Sequence, residues 1–183
     1  MDVICQAIVD ATFKGSVILV LFLLLIRLFK IYIHAIDKQL IIQAVSYTLL
    51  FGSLIYIGLF LRSICGNILF GNKDERSSMV SYMFGKYWFA PWFYIFMYAL
   101  LPQILWVKKF NRSIISVTVV VLIWGALALL VTIVSIGGYW HVEWKIILIY
   151  CLKRTLIYLV LLSIMYIILS RRKKQLKPAS PNL

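Results

Sequence analysis

The stretch from Leu40 to Leu61, LIIQAVSYTLLFGSLIYIGLFL, runs for 22 residues without a charged side chain. A hydrocarbon core about 30 Å thick takes about 20 apolar residues as a helix. A helix is also the single-strand solution there, since no water reaches the backbone N–H and C=O groups and each must be bonded within the segment. This stretch therefore points to an all-α integral membrane protein. The composition agrees: 63% of the 183 residues are apolar, 14% are charged, and the mean hydropathy is +0.97. Soluble domains hold about 45–50% apolar and about 25% charged residues, and a chain of this length cannot bury the excess in a globule.

Four further stretches pass the same length test, giving expected spans at 14–33, 40–61, 87–107, 113–136 and 146–170. The first contains the block Val17–Ile26, and Val3, Ile4, Ala7, Ile8 and Ala11 recur ahead of it at helical spacing, which extends the helix toward the N-terminus. A signal peptide is disfavoured there. Asp2 and Asp10 precede Lys14, the basic Arg27 and Lys30 follow the block, and no small-x-small cleavage site stands after it. The spans form one helical domain over 1–170. The connection 63–86 reads as turns at Gly66, Asn67, Gly71 and Asn72 and a solvated Lys73–Arg76 cluster, with Met79–Phe84 as a short piece along the interface.

Nineteen Lys and Arg against six Asp and Glu give a formal charge of +13, which on a soluble domain would indicate nucleic acid. The cations instead collect at the ends of the apolar runs, so they set orientation and no nucleic-acid partner is expected. Arg27, Lys30, Lys38, Lys108, Lys109, Arg112, Arg171, Arg172, Lys173, Lys174 and Lys177 fall on one side, against Lys14, Arg62, Lys73, Arg76, Lys86 and Lys145 on the other. That distribution places the N-terminus outside and the C-terminus in the cytoplasm. The tail 171–183 becomes a basic end attracted to anionic headgroups. Cys5, Cys65 and Cys151 have no metal-ligand spacing; a Cys5–Cys65 bond is conceivable, and free thiols are the blander reading.

Few residues carry chemistry. Between Tyr87 and Tyr98 eight of twelve residues are aromatic. An aromatic belt with Trp88 and Trp92 at one interface and Trp106 at the other accounts for the ends. A flat cleft for a lipid-soluble ring such as a quinone, formed by Tyr98, Pro102, Gln103 and Trp106, accounts for the middle. Pro102 lacks an amide donor and crowds the carbonyl of Tyr98, which predicts a kink and leaves an acceptor for Gln103, for the Tyr98 hydroxyl or for a ligand. Lys153 and Arg154 lie inside the fifth run, where charge costs about 2.5–3.5 kcal/mol on insertion scales. Either they snorkel to the surface, or they meet a partner or line a polar path; Glu143, in the turn before this run, is the nearest acid in the chain, ten residues before Lys153, so direct pairing with it needs a break in the helix or a different chain. His141 and Glu143 form an H-x-E spacing, but three or four ligands are needed and His34 falls on the opposite face, so no metal site and no catalytic constellation is expected.

The order Tyr87-Trp88-Phe89, Leu101-Pro102, Trp106, the basic turn Lys108–Arg112 and a following helix with Trp124 resembles, over residues 87–138, part of the polysulfide-reductase-type (NrfD-like) respiratory membrane subunits. That resemblance implies a bacterial inner membrane, quinol or quinone bound between helices, and partner subunits to receive electrons or protons. Three functions remain open: a small non-catalytic subunit packing against larger membrane proteins, a quinone-binding redox subunit, and a transporter, channel or membrane-disrupting effector with Arg154 on the path.

Overall fold

The computed structural model describes residues 2–28, 37–86, 88–136 and 144–175, and among them every regular element is helical. The order is α1 Asp2–Leu28, α2 Lys38–Cys65, a π-helical turn Gly66–Phe70, α3 Lys73–Phe84, α4 Phe89–Ile95, a second π turn Phe96–Leu100, a 3-10 segment Leu101–Trp106, α5 Lys108–Asn111, α6 Ile114–Ile136 and α7 Trp144–Gln175. Among the described residues, three helices are long and apolar enough to cross a membrane: Val3–Leu21, Lys38–Phe70 and Cys151–Lys173. The helix α6 is apolar over Ile114–Ala126.

Local chemistry explains the boundaries. Asp37 caps α2, its carboxylate accepting from the amides of Gln39 at 3.0 Å and Leu40 at 3.3 Å. Asn72 and Glu75 form a reciprocal capping box at the start of α3, each bond 2.9 Å, with Asp74 and Glu75 in the first turn.

Several expected boundaries move. The first helix begins at Asp2, twelve residues before the expected start at 14, because the apolar spacing from Val3 onward is already sufficient. The connection 63–86 is largely helical: Gly66 and Asn67 let α2 run on into the π turn, the break comes at Gly71–Asn72, and Lys73–Arg76, exposed as expected, open α3. Met79 and Met83, four apart, turn inward and are buried. The third span is not one helix. It changes from α to π to 3-10 around Pro102, and Leu101 donates its amide to the Phe96 carbonyl five residues back. The first residues of the basic stretch, from Arg171, are helical, since α7 continues to Gln175. Residues 176–183, the 137–143 turn with His141 and Glu143, and His34 lie outside the described residues.

Contacts give the directions of the elements. Thr12 meets Gly52, while Val20 and Leu24 meet Ile42 and Val45, so α1 and α2 run antiparallel. Ser53 meets Ala99 and Gln103, and Ser46 meets Asn111, so the third segment runs back along α2. Phe13 stacks on Trp124, and Val20 lies with Val117, so α6 opposes α1. Arg154 reaches Ala7 and Tyr158 abuts Gly15, so α7 is parallel to α1. The common core joins Val9, Phe13 and Val20 with Val45, Leu49, Met97, Leu105, Val117, Val121 and Trp124.

Small residues set the closest approaches, as expected where lipid removes the hydrophobic drive and van der Waals contact decides packing. A Cβ on Gly52 would fall 2.6 Å from the Thr12 methyl, and one on Gly125 would fall 3.1 Å from Val17. Buried Thr12, Ser16 and Thr48 donate to carbonyls of their own helix at 2.7–2.8 Å, which hides their hydroxyls without a partner helix.

Candidate functional site

Two polar clusters interrupt the apolar interior. The first repairs the break at Pro102. The Ser53 hydroxyl on α2 donates to the Ala99 carbonyl at 3.1 Å and accepts from Gln103 Nε2 at 2.8 Å, and Gln103 Oε1 accepts from Trp106 Nε1 at 2.6 Å. The irregular backbone is thus held by a neighbouring helix. Gln103 is occupied at both ends by protein, and buried Pro102 faces the core. Trp106 is exposed and serves as the outer donor of this chain.

Tyr98, the fourth member of the expected cleft, belongs to a different cluster. Its ring packs edge-on against Trp124 at 4.5 Å and Phe13 at 4.9 Å, stacks on Tyr56 at 4.9 Å and leans on Tyr94 at 6.1 Å. Tyr56 in turn stacks over Phe60 at 6.3 Å. These rings form one wall of a cleft of about 320 Å³, whose other wall is the Gln6, Val9 and Asp10 face of α1. The structure therefore separates Tyr98 from the Gln103–Trp106 chain.

Asp10 at this cleft is the acid that Arg154 meets. Arg154 Nη2 lies 3.6 Å from Asp10 Oδ2, Arg154 Nη1 donates to the Ala7 carbonyl at 2.8 Å, and Lys14 Nζ stands 3.7 Å from the same carboxylate oxygen. The Arg154 side chain is 19% exposed and that of Asp10 is 25%, so the pair is shielded but not sealed. The sequence pointed to Glu143 on α7's own side; the partner comes from α1 because the two helices run side by side in parallel, which no spacing along the chain reveals. Lys153, one residue earlier, is exposed.

A second ion pair closes the opposite end. Lys173 on α7 binds Asp37, the α2 cap, and this hydrogen bond from the ammonium is the largest cause holding the Asp37 carboxyl below its ordinary value. Nineteen residues of continuous helix separate Arg154 from Lys173, which is about 28 Å at 1.5 Å per residue.

All three cysteines are free: Cys5 is half-buried and Cys65 and Cys151 are exposed. No group of three or more His, Cys, Asp or Glu among the described residues is placed to hold a metal. The residues that sequence reasoning missed as site members, Ser53, Tyr56, Phe60 and Tyr94, carry no motif; a serine or tyrosine inside an apolar run was the available signal. Comparison with protein-family models, curated proteins and solved structures finds no match.

Proposed function

We propose that this protein is a five-span subunit of a bacterial inner membrane, N-terminus outside, which assembles with larger membrane proteins and performs no catalysis by itself. The observation that carries the reading is the surface of α7. Within its apolar segment Cys151–Lys173 a single residue, Tyr158, is buried, against seven in Val3–Leu21 and nine in Lys38–Phe70. Leu152, Leu156, Val160, Ile164 and Ile167 are all exposed along it, a lateral apolar strip suited to another subunit's helices. The alternation in direction of α1, α2, the third segment, α6 and α7 supports five crossings. The ion pairs at Arg154, ten residues into α7, and at Lys173, near its C-terminal end, are separated by about one hydrocarbon thickness, which supports a slab bounded by those two residues. On that placement Arg154 stands at the outer boundary and not deep in lipid. The resemblance over 87–138 is what suggests a respiratory assembly.

Extraction in a mild detergent, followed by size and mass analysis, tests the role. Companion subunits in stoichiometric amount are expected. A stable monomer without companions would remove the proposal.

A further inference from the structure

We infer that a step at one end of the helix bundle, carrying Lys108, Lys109 and Arg112, holds the phosphate of an anionic phospholipid. The inference rests on the chain crossing a membrane, not on the assembly role or on which side faces the cytoplasm. The step is a difference in length. α2 begins at its Asp37 cap, where Lys173 of α7 meets it, and α7 runs on to Gln175. The third segment stops short of that level. Its end, Asn111, accepts a hydrogen bond from the Ser46 hydroxyl at its carbonyl, 3.1 Å away, and Ser46 lies nine residues along α2 from Asp37, about 14 Å. α6 starts short of it as well: Ile114 lies beside Leu24, Ile42 and Val45, while α1 continues four residues past Leu24 to Leu28. The turn 106–112 is therefore set back toward the membrane interior behind the ends of α1, α2 and α7. In it Trp106, Val107, Lys108, Lys109, Phe110 and Arg112 are exposed. Among the described residues no acid meets Lys108, Lys109 or Arg112, and the acid at this end, Asp37, is occupied by Lys173 and by the amides of Gln39 and Leu40. The far end of the bundle differs, since Asp10 there meets Lys14 and Arg154. Recessed cations facing hydrocarbon are expensive, and local thinning of the leaflet is one way the cost falls. A headgroup that dips into the step supplies the missing anion. The charge selects its class: a net negative lipid balances the cluster, whereas a zwitterionic one brings an ammonium of the same sign back to it. Exposed Trp106 in the same turn is a residue type enriched at headgroup level.

The test uses the full chain, delipidated in mild detergent and titrated with dioleoyl phosphatidylglycerol or dioleoyl phosphatidylcholine, with retained lipid counted by native mass spectrometry. The glycerol lipid should bind at least about fivefold more tightly, the size of effect that one Lys or Arg has at an anionic surface. In Lys108→Gln/Lys109→Gln the preference should fall to about twofold or less, and Arg112→Gln alone should reduce it. All three side chains are exposed, so these variants keep the fold. Arg171→Gln/Arg172→Gln removes the same charge from the end of α7, outside the step, and should leave the preference within about twofold of the parent. Equal retention of the two lipids, an undiminished preference in the Lys108/Lys109 variant, an equal loss in the Arg171/Arg172 variant, equally tight binding of soluble glycerophosphoglycerol, or displacement of the lipid by an RNA oligonucleotide would each overturn the inference.

Discussion

At the scale of single residues, the tightest approach of one helix to another at a described glycine is Gly15 against Tyr158. A Cβ at Gly15 would sit 2.4 Å from the Tyr158 Cβ, an atom fixed to the α7 backbone, so one helix must shift. Gly15→Ala should cost about 1–3 kcal/mol by overpacking. Gly58→Ala meets nothing within 4 Å and should be nearly neutral. Unfolding of both variants in mixed micelles separates them. Tyr158 gives the opposite expectation. It is fully buried and, among the described residues, its hydroxyl finds no hydrogen-bond partner. Tyr158→Phe removes a polar group whose burial is uncompensated and should be neutral or stabilising by up to about 1–3 kcal/mol in the same assay. For Asp37 the folded carboxyl titrates below its ordinary value, so its contribution is present above the ordinary carboxyl range and is lost as pH falls through the lowered folded value. Asp37→Asn should therefore be less stable than the parent at pH 7, with the gap closing in acid. The pair is at the surface, which limits the gap to about 0.2–1 kcal/mol.

At the scale of elements, the third segment shows how a proline break is tolerated. Pro102 removes one intrahelical bond, the backbone widens into a π turn before it and tightens into a 3-10 segment after it, and Ser53 on α2 occupies the Ala99 carbonyl. Ser53→Ala should cost about 0.6–1.7 kcal/mol, the range of hydrogen bonds between membrane helices. The Ser53→Ala/Gln103→Leu pair should be less than additive, because both changes open the same chain of bonds. Additive losses in a double-mutant cycle would show that the two side chains act separately. That the helix would be interrupted here was readable from Pro102 in the sequence. That Ser53 would relieve it was not, since a serine 49 positions earlier in another helix carries no local signature.

At the scale of the whole molecule, the ion pairs Asp10–Arg154 and Asp37–Lys173 tie the first half of the chain to its last helix at both ends. Arg154→Leu should loosen α7 from α1 and raise protease cleavage near 144–150, with the Lys173 end less affected. Uniform protection would count against a shared role. Reporter fusions at the two termini should place them in opposite compartments. The same compartment for both would mean an even number of crossings and would displace the Arg154 level from the outer face.

Composition and uninterrupted apolar length determined by themselves that this chain is helical and suited to a membrane, because backbone groups in lipid have no alternative to internal bonding. The charge at each end of the apolar runs likewise sufficed for an expected orientation. The tertiary structure alone decided which polar residues share a site. Gln103 went to Ser53, Tyr98 to an aromatic wall, and Arg154 to Asp10, 144 positions away in the chain. The physical reason is that side-chain charges and hydrogen bonds act over a few ångströms, so partnership depends on which helices lie beside one another and in which direction, and hydrophobic length is blind to both.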